Sequence, residues 1–158
     1  MAPVSVTVRQ SAQASPAQAF GAVIPVALET IFRGYGPLPA VTGVRDQVGD
    51  WATAGDTRTV LLKGGGTMSE ELTRVERPGR CEYRVAPDNG PLRLLVDHIE
   101  GRFLFEPDGG GCVIDWTYAF FPKPGRRLPL LALAPLWRRY ATQVLAAAAP
   151  LAEQQPAA

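Results

Sequence analysis

Cys112-Val113-Ile114-Asp115-Trp116-Thr117-Tyr118-Ala119-Phe120-Phe121 is followed, past residues 122–127, by Leu128-Pro129-Leu130-Leu131-Ala132-Leu133-Ala134-Pro135-Leu136-Trp137-Arg138-Arg139-Tyr140. The first stretch has the two-residue period of a half-buried strand. Cys112, Ile114, Trp116, Tyr118 and Phe120 share one face, and Asp115 and Thr117 share the other. In the second stretch the period changes. Leu133, Trp137, Tyr140, Val144, Ala148 and Leu151 recur at spacings of three and four, which is one face of a helix. Pro135 either starts this helix or kinks it. An aromatic strand face running directly into a long amphipathic helix is the juxtaposition from which the rest of the chain is read.

Upstream, residues 40–121 carry only strand and turn signals. Residues 41–48 read as a weak strand, 50–56 as a turn containing Trp51, and 58–63 as a β-rich run closed by Gly64-Gly65-Gly66. Residues 67–76 end at Pro78-Gly79, and 80–86 end at Pro87-Asp88-Asn89-Gly90. Residues 92–106 read as one long strand with a bend at Gly101, because glycine inside a strand often marks a bulge. Before all of these, Val4, Val6 and Val8 alternate with polar residues. Ser15-Pro16 then reads as a helix N-cap with proline in the first turn, and Ala17, Phe20, Val23 and Ile24 follow at helical spacing. Pro25 breaks that helix, and Ala27, Leu28, Ile31 and Phe32 predict a second short one ending near Gly34. The expected fold is therefore α+β with element order β-α-α-β6-α: a seven-stranded antiparallel curved sheet, two short helices and a long C-terminal helix. Residues 1–158 are read as one domain, with 153–158 a frayed polar tail.

The chain is 158 residues long, with 16 Lys and Arg against 15 Asp and Glu. That balance argues against a nucleic-acid partner, which a basic excess would announce. Two cysteines and one histidine exclude a disulfide framework and a four-cysteine zinc site, and no metal or cofactor is expected. The first fifteen residues lack an apolar signal-peptide core, and the most apolar run, residues 128–137, is too short to span a bilayer. These features read as a cytoplasmic protein with reduced thiols.

The order of elements resembles the START-like, helix-grip superfamily often labelled SRPBCC, which includes polyketide cyclase/dehydrase-type and Bet v 1-like proteins. The residues that carry the resemblance are Ser15-Pro16-Ala17-Gln18-Ala19-Phe20 after the first strand, residues 64–72 with Glu70, and residues 80–85 with Tyr83. Further matches are Gly101-Arg102-Phe103 and Gly109-Gly110-Gly111 leading into Asp115-Trp116-Thr117-Tyr118. The resemblance spans about residues 4–152 and implies a hydrophobic-ligand cavity between sheet and C-terminal helix. The function expected from it is binding or carriage of an apolar small molecule, lipid or polyketide-like. The alternative is a polyketide cyclase or dehydratase using a cavity carboxylate and a tyrosine; fold analogy alone does not choose.

The candidate ligand-binding residues are Glu70, Tyr83, Asp97, Phe103, Phe105, Trp116, Tyr118, Trp137 and Tyr140; no catalytic residue is assigned. The aromatic residues form an expected inner wall, for which the competing reading is a solid core. Asp97, on Ile99's face of a straight strand, is expected to enter the cavity, with His98 facing the opposite way. Glu70 and Glu71 point to opposite faces and cannot act as a pair, whereas Glu70 with Arg58 suits a buried or rim ion pair. Lys63-Gly64-Gly65-Gly66-Thr67 is no phosphate loop, since strands flank it. Finally, Lys123, Arg126, Arg127, Arg138 and Arg139 stand in a stretch, residues 123–152, without Asp or Glu. They are read either as a solvated helix face or as a transient contact for an anionic membrane or acidic protein through Arg126, Arg127, Arg138 and Arg139.

Overall fold

The computed structural model describes residues 2–156. Its elements are β1 (Val4–Ala12), α1 (Pro16–Val23), a single 3-10 turn (Leu28–Thr30), β2 (Val41–Val48), β3 (Thr57–Leu62) and β4 (Thr67–Glu76). They continue with β5 (Arg80–Pro87), α2 (Gly90–Arg93), β6 (Val96–Asp108), β7 (Gly111–Pro122) and α3 (Arg127–Glu153). All seven strands join one antiparallel sheet in the order β1-β7-β6-β5-β4-β3-β2. Every connection from β2 onward links spatial neighbours, and only β1 is placed at the far edge, beside the last strand. The helix-grip α+β arrangement expected from the sequence is present. Among the described residues no helix is long and apolar enough to cross a membrane.

Local chemistry accounts for the element boundaries. Ser15 Oγ accepts the Gln18 N–H at 3.1 Å and Gln18 Oε1 accepts the Ser15 N–H at 2.9 Å, a reciprocal cap that fixes the entry to α1. On β7 burial alternates residue by residue, with Cys112, Ile114, Trp116, Tyr118 and Phe120 inward as their period demands. The register of β1 against β7 places Val4, Val6 and Val8 beside Phe120, Tyr118 and Trp116 on that same inner face. α3 runs unbroken through Pro135 and Pro150 and buries Leu130, Tyr140, Ala141, Val144, Leu145 and Ala148.

Two expectations are corrected. The second short helix is reduced to the Leu28–Thr30 turn, because the chain beyond it is committed elsewhere. Phe32 O accepts the Val41 N–H at 2.9 Å, and Gly34, with φ 92°, donates its N–H to the Tyr140 hydroxyl at 3.0 Å. That hydroxyl donates in turn to Pro39 O at 2.9 Å, so a side chain of α3 does the pairing a helix would have done. The strand expected over 92–106 begins only at Val96, since Pro91 starts the short helix α2. At the start of the polar tail the Glu153 carboxylate accepts the Gln13 N–H at 2.7 Å, and Gln155 O accepts Gln18 Nε2 at 2.8 Å. Residues 157–158 of the expected tail lie outside the described residues.

Candidate functional site

α3 lies along β1 and α1, toward one edge of the sheet, and does not extend over the inner face of β3–β5. The space so created is a cavity of about 820 Å³. Its floor comes from Val60, Met68, Cys81, Ile99, Phe103, Trp116 and Tyr118 on the sheet, and its roof from Ile24, Ile31 and Phe32. Trp137, Tyr140 and Val144 of α3 form the side wall. Pro37–Pro39, the β3–β4 hairpin at Gly64-Gly65-Gly66, α2 and Leu136 surround one end. The volume falls within the range of small-molecule sites, and the wall is predominantly apolar, as such sites require.

The aromatic wall is continuous. Phe103 stacks on Trp116 with centroids 5.1 Å apart, Trp116 meets Trp137 edge-on at 5.7 Å, and Trp137 stacks on Tyr118 at 4.5 Å. Tyr83 lies across Gly101, its partner on β6, and this is why position 101 carries no side chain. A Cβ there would stand 2.1 Å from Tyr83 Cζ. The glycine that suggested a bulge therefore serves as a seat for an aromatic ring. Tyr83's hydroxyl accepts the indole N–H of Trp116 at 2.8 Å. Tyr118 is more than nine-tenths buried and lines the cavity, and its hydroxyl makes no hydrogen bond among the described residues. The indole N–H of Trp137, also on the wall, is buried without a partner among them. Burial pushes both phenols far above their ordinary pKa, and the nearby Glu70 charge adds to this, so both keep their protons.

One ion pair interrupts the apolar wall. Register places Arg58 of β3 opposite Glu70 of β4, and Arg58 Nε donates to Glu70 Oε1 at 2.9 Å, with only 8% and 10% of the two side chains exposed. Burial raises the Glu70 pKa, and Arg58 pulls it back only in part. Arg58 is covered by Trp51, whose ring centroid lies 3.8 Å from the guanidinium carbon. Trp51 adopts φ 55°, a costly backbone for a bulky residue. The loop is held there by the Asp56 carboxylate, which accepts the Ala52 and Thr53 N–H groups at 2.9 and 3.1 Å. Trp51 was missed as a site residue; an isolated tryptophan within a polar turn was the signal.

Of the expected site residues, the structure brings Glu70, Tyr83, Phe103, Trp116, Tyr118, Trp137 and Tyr140 to the cavity wall. Phe105 is buried on the same face but beyond the cavity, against Phe20 at 5.4 Å. Asp97 is corrected outright. Val96 pairs with Pro122 and His98 with Phe121, so Asp97 is the extra residue of a bulge. Val96 and Ile99 can then both point inward, while Asp97 faces solvent with its carboxylate 2.7 Å from His98 Nδ1. The His98 contact holds the Asp97 pKa below its ordinary value. His98 stacks on Phe121, centroids 4.4 Å apart, on the outer face.

The match to a family of known proteins follows this architecture along almost its whole length: residues 3–153 fit the family described as polyketide cyclase/dehydrase and lipid transport. The chain belongs to that family. It is a member of the START-like superfamily to which the sequence pointed. No curated protein sequence matches the chain. Among solved structures, that of Ara h 8.0201 superimposes with a TM-score of 0.69 at 14% identity, covering 94% of this chain and 97% of its own. A protein from Nitrosospira multiformis gives 0.66 at 14% identity over 93% and 94%. A third, from Chromobacterium violaceum, gives 0.64 at 14% over 97% and 100%. At that level of identity these neighbours share the fold and carry no ligand with them.

Proposed function

We propose that residues 1–158 act as one domain that binds and carries an apolar small molecule, lipid or polyketide-like, in the interior cavity without transforming it. The observation that carries this reading is the cavity itself: about 820 Å³ between sheet and helix, with an aromatic wall and its buried charges already paired. Carriage needs such a volume, a dry lining and an entrance, and no assembled acid and base.

The entrance supports carriage over storage. Exposed Leu94, Leu128 and Leu131 adjoin the cavity-lining Leu92, Leu95 and Leu133 in sequence, and Lys123 N–H donates to Leu95 O at 2.9 Å, joining the two segments at one end of the molecule. Arg93 and Arg126 are exposed on these segments. Apolar side chains amid cations suit an anionic bilayer surface, onto which a ligand could pass directly. Arg126, Arg127, Arg138 and Arg139 are proposed to contribute to the same contact. Arg127 also donates to Ala2 O and Arg138 to Thr7 O, so these two are partly committed within the fold.

One observation favours a cyclase or dehydratase as the second reading: Glu70, with its raised pKa, shares the cavity with two protonated phenols. The deciding experiment incubates the protein with β-keto polyketide mimics and with labelled fatty alcohols or ketones, measuring turnover and binding together. Stoichiometric binding with substrate recovered intact is the expected result. Turnover that disappears in a stably folded Glu70→Gln variant would establish the enzyme instead.

A further inference from the structure

The cavity wall contains charge, but no charge left over. Arg58 and Glu70 neutralise one another at 2.9 Å, nine-tenths buried, under the Trp51 ring. The other cation of the lining, Lys63, is exposed at the mouth, where water already solvates it. A carboxylate or ammonium group carried into the interior would find no unpaired counter-ion and would lose its hydration, which strongly disfavours it. Hydrogen-bond donors, in contrast, are in surplus. Tyr118 presents a protonated hydroxyl that makes no hydrogen bond among the described residues, and the buried Trp137 indole N–H beside it has no partner among them either. Tyr83, whose oxygen already accepts the Trp116 N–H, keeps its own proton for donation. The two rings lie 6.4 Å apart, both at the cavity wall.

Resting on the binding function proposed above, and narrowing it, we infer that the cavity selects an uncharged ligand bearing an acceptor oxygen, a ketone, ester or ether. Its oxygen is received by the Tyr118 hydroxyl, with Tyr83 within the same group, while its apolar body lies against Phe103, Trp116 and Trp137. Free carboxylic acids and amines of the same shape are rejected because Arg58 and Glu70 consume each other's charge. The ion pair is thus a specificity element acting through neutrality, and Tyr118 is the ligand contact.

Calorimetric titration with four rigid probes of one shape tests this: naphthalene, acetylnaphthalene, naphthoate and naphthylmethylammonium, at neutral pH. Acetylnaphthalene is expected to bind tightest, ahead of each charged probe by at least about tenfold. Tyr118→Phe should weaken acetylnaphthalene by about five- to tenfold and leave naphthalene unchanged, which a merely structural role of Tyr118 would not do. Glu70→Gln, which leaves Arg58 uncompensated, should move the ratio of naphthoate to acetylnaphthalene affinity by about tenfold toward naphthoate. If that variant fails to fold, the Tyr118→Phe comparison decides alone. Equal binding of charged and uncharged probes by the wild type, or equal loss of naphthalene and acetylnaphthalene in Tyr118→Phe, overturns the selectivity and leaves cavity binding standing. Failure of all four probes to bind overturns the binding function itself, and the selectivity with it.

Discussion

The two halves of the inner sheet face are built from similar residues and end in opposite states. Beneath α3, the valines of β1 share one core with Ala141, Ala149 and Ala152 of α3, with Ala19, Ala22 and Phe20 of α1 packed alongside. Small side chains on both helices let the backbones approach, and the half is closed. Over β3–β5 the residues are as apolar, with Val60, Met68, Cys81 and Tyr83, yet α3 does not reach over them and the space stays open. Hydrophobicity alone does not decide between packed core and binding site. The position of one helix does, because a long rigid rod covers only part of a wide, curved sheet.

The sharpest way to break this comparison is to place a charge under the helix. Ala141→Asp puts an unpaired carboxylate in the packed seam of α3, and unfolding in denaturant is expected to show a loss of about 3–5 kcal/mol. A variant with an unchanged midpoint would mean that α3 is not the lid of the closed half.

A matched pair of enlargements sharpens the contrast. Ala19, fully buried in the closed half, has no room for added atoms, so Ala19→Leu is expected to cost about 1–3 kcal/mol. Cys81→Leu adds comparable bulk at the open half, where the cavity receives it. Its stability should stay within about 1 kcal/mol of wild type while the affinity for lipophilic probes falls. Equal costs at the two sites would erase the distinction between the halves.

The smallest expected effect is a pH dependence read at the same cysteine. Burial pushes the Cys81 thiol up to about 11 from an ordinary value of 9.0. The folded state holds the proton more tightly than the unfolded chain, so this stabilising contribution is complete below pH 9.0 and is lost as the pH rises toward about 11. Cys81→Ala should show a shallower decline than wild type across that window in thermal melts. Alkylation by iodoacetamide should be slow at neutral pH and slower still with a ligand bound.

Much of this was legible along the chain. The alternation over residues 112–121 determined which face of β7 is apolar, and the three-and-four spacing from Leu133 to Leu151 determined the buried face of α3, because each depends only on the period of the local backbone. The pairing of Arg58 with Glu70 was legible too, since a short hairpin through three glycines sets the register of β3 on β4. The parity of β6 was not. A single extra residue at Asp97 reverses every face upstream of it, and it exists because Val96 must join the core while Pro122 fixes the end of β7. Nor did the chain show that Trp51 would fold over Arg58, or that Gly101 would seat the Tyr83 ring, since both partners lie on other elements. The sequence by itself determined the order of the strands and of the long C-terminal helix, the apolar faces of β7 and α3, and the family. Only the tertiary structure decided which of those faces α3 would cover and which would remain around empty space, because a void is a property of how elements sit together and no local pattern encodes it.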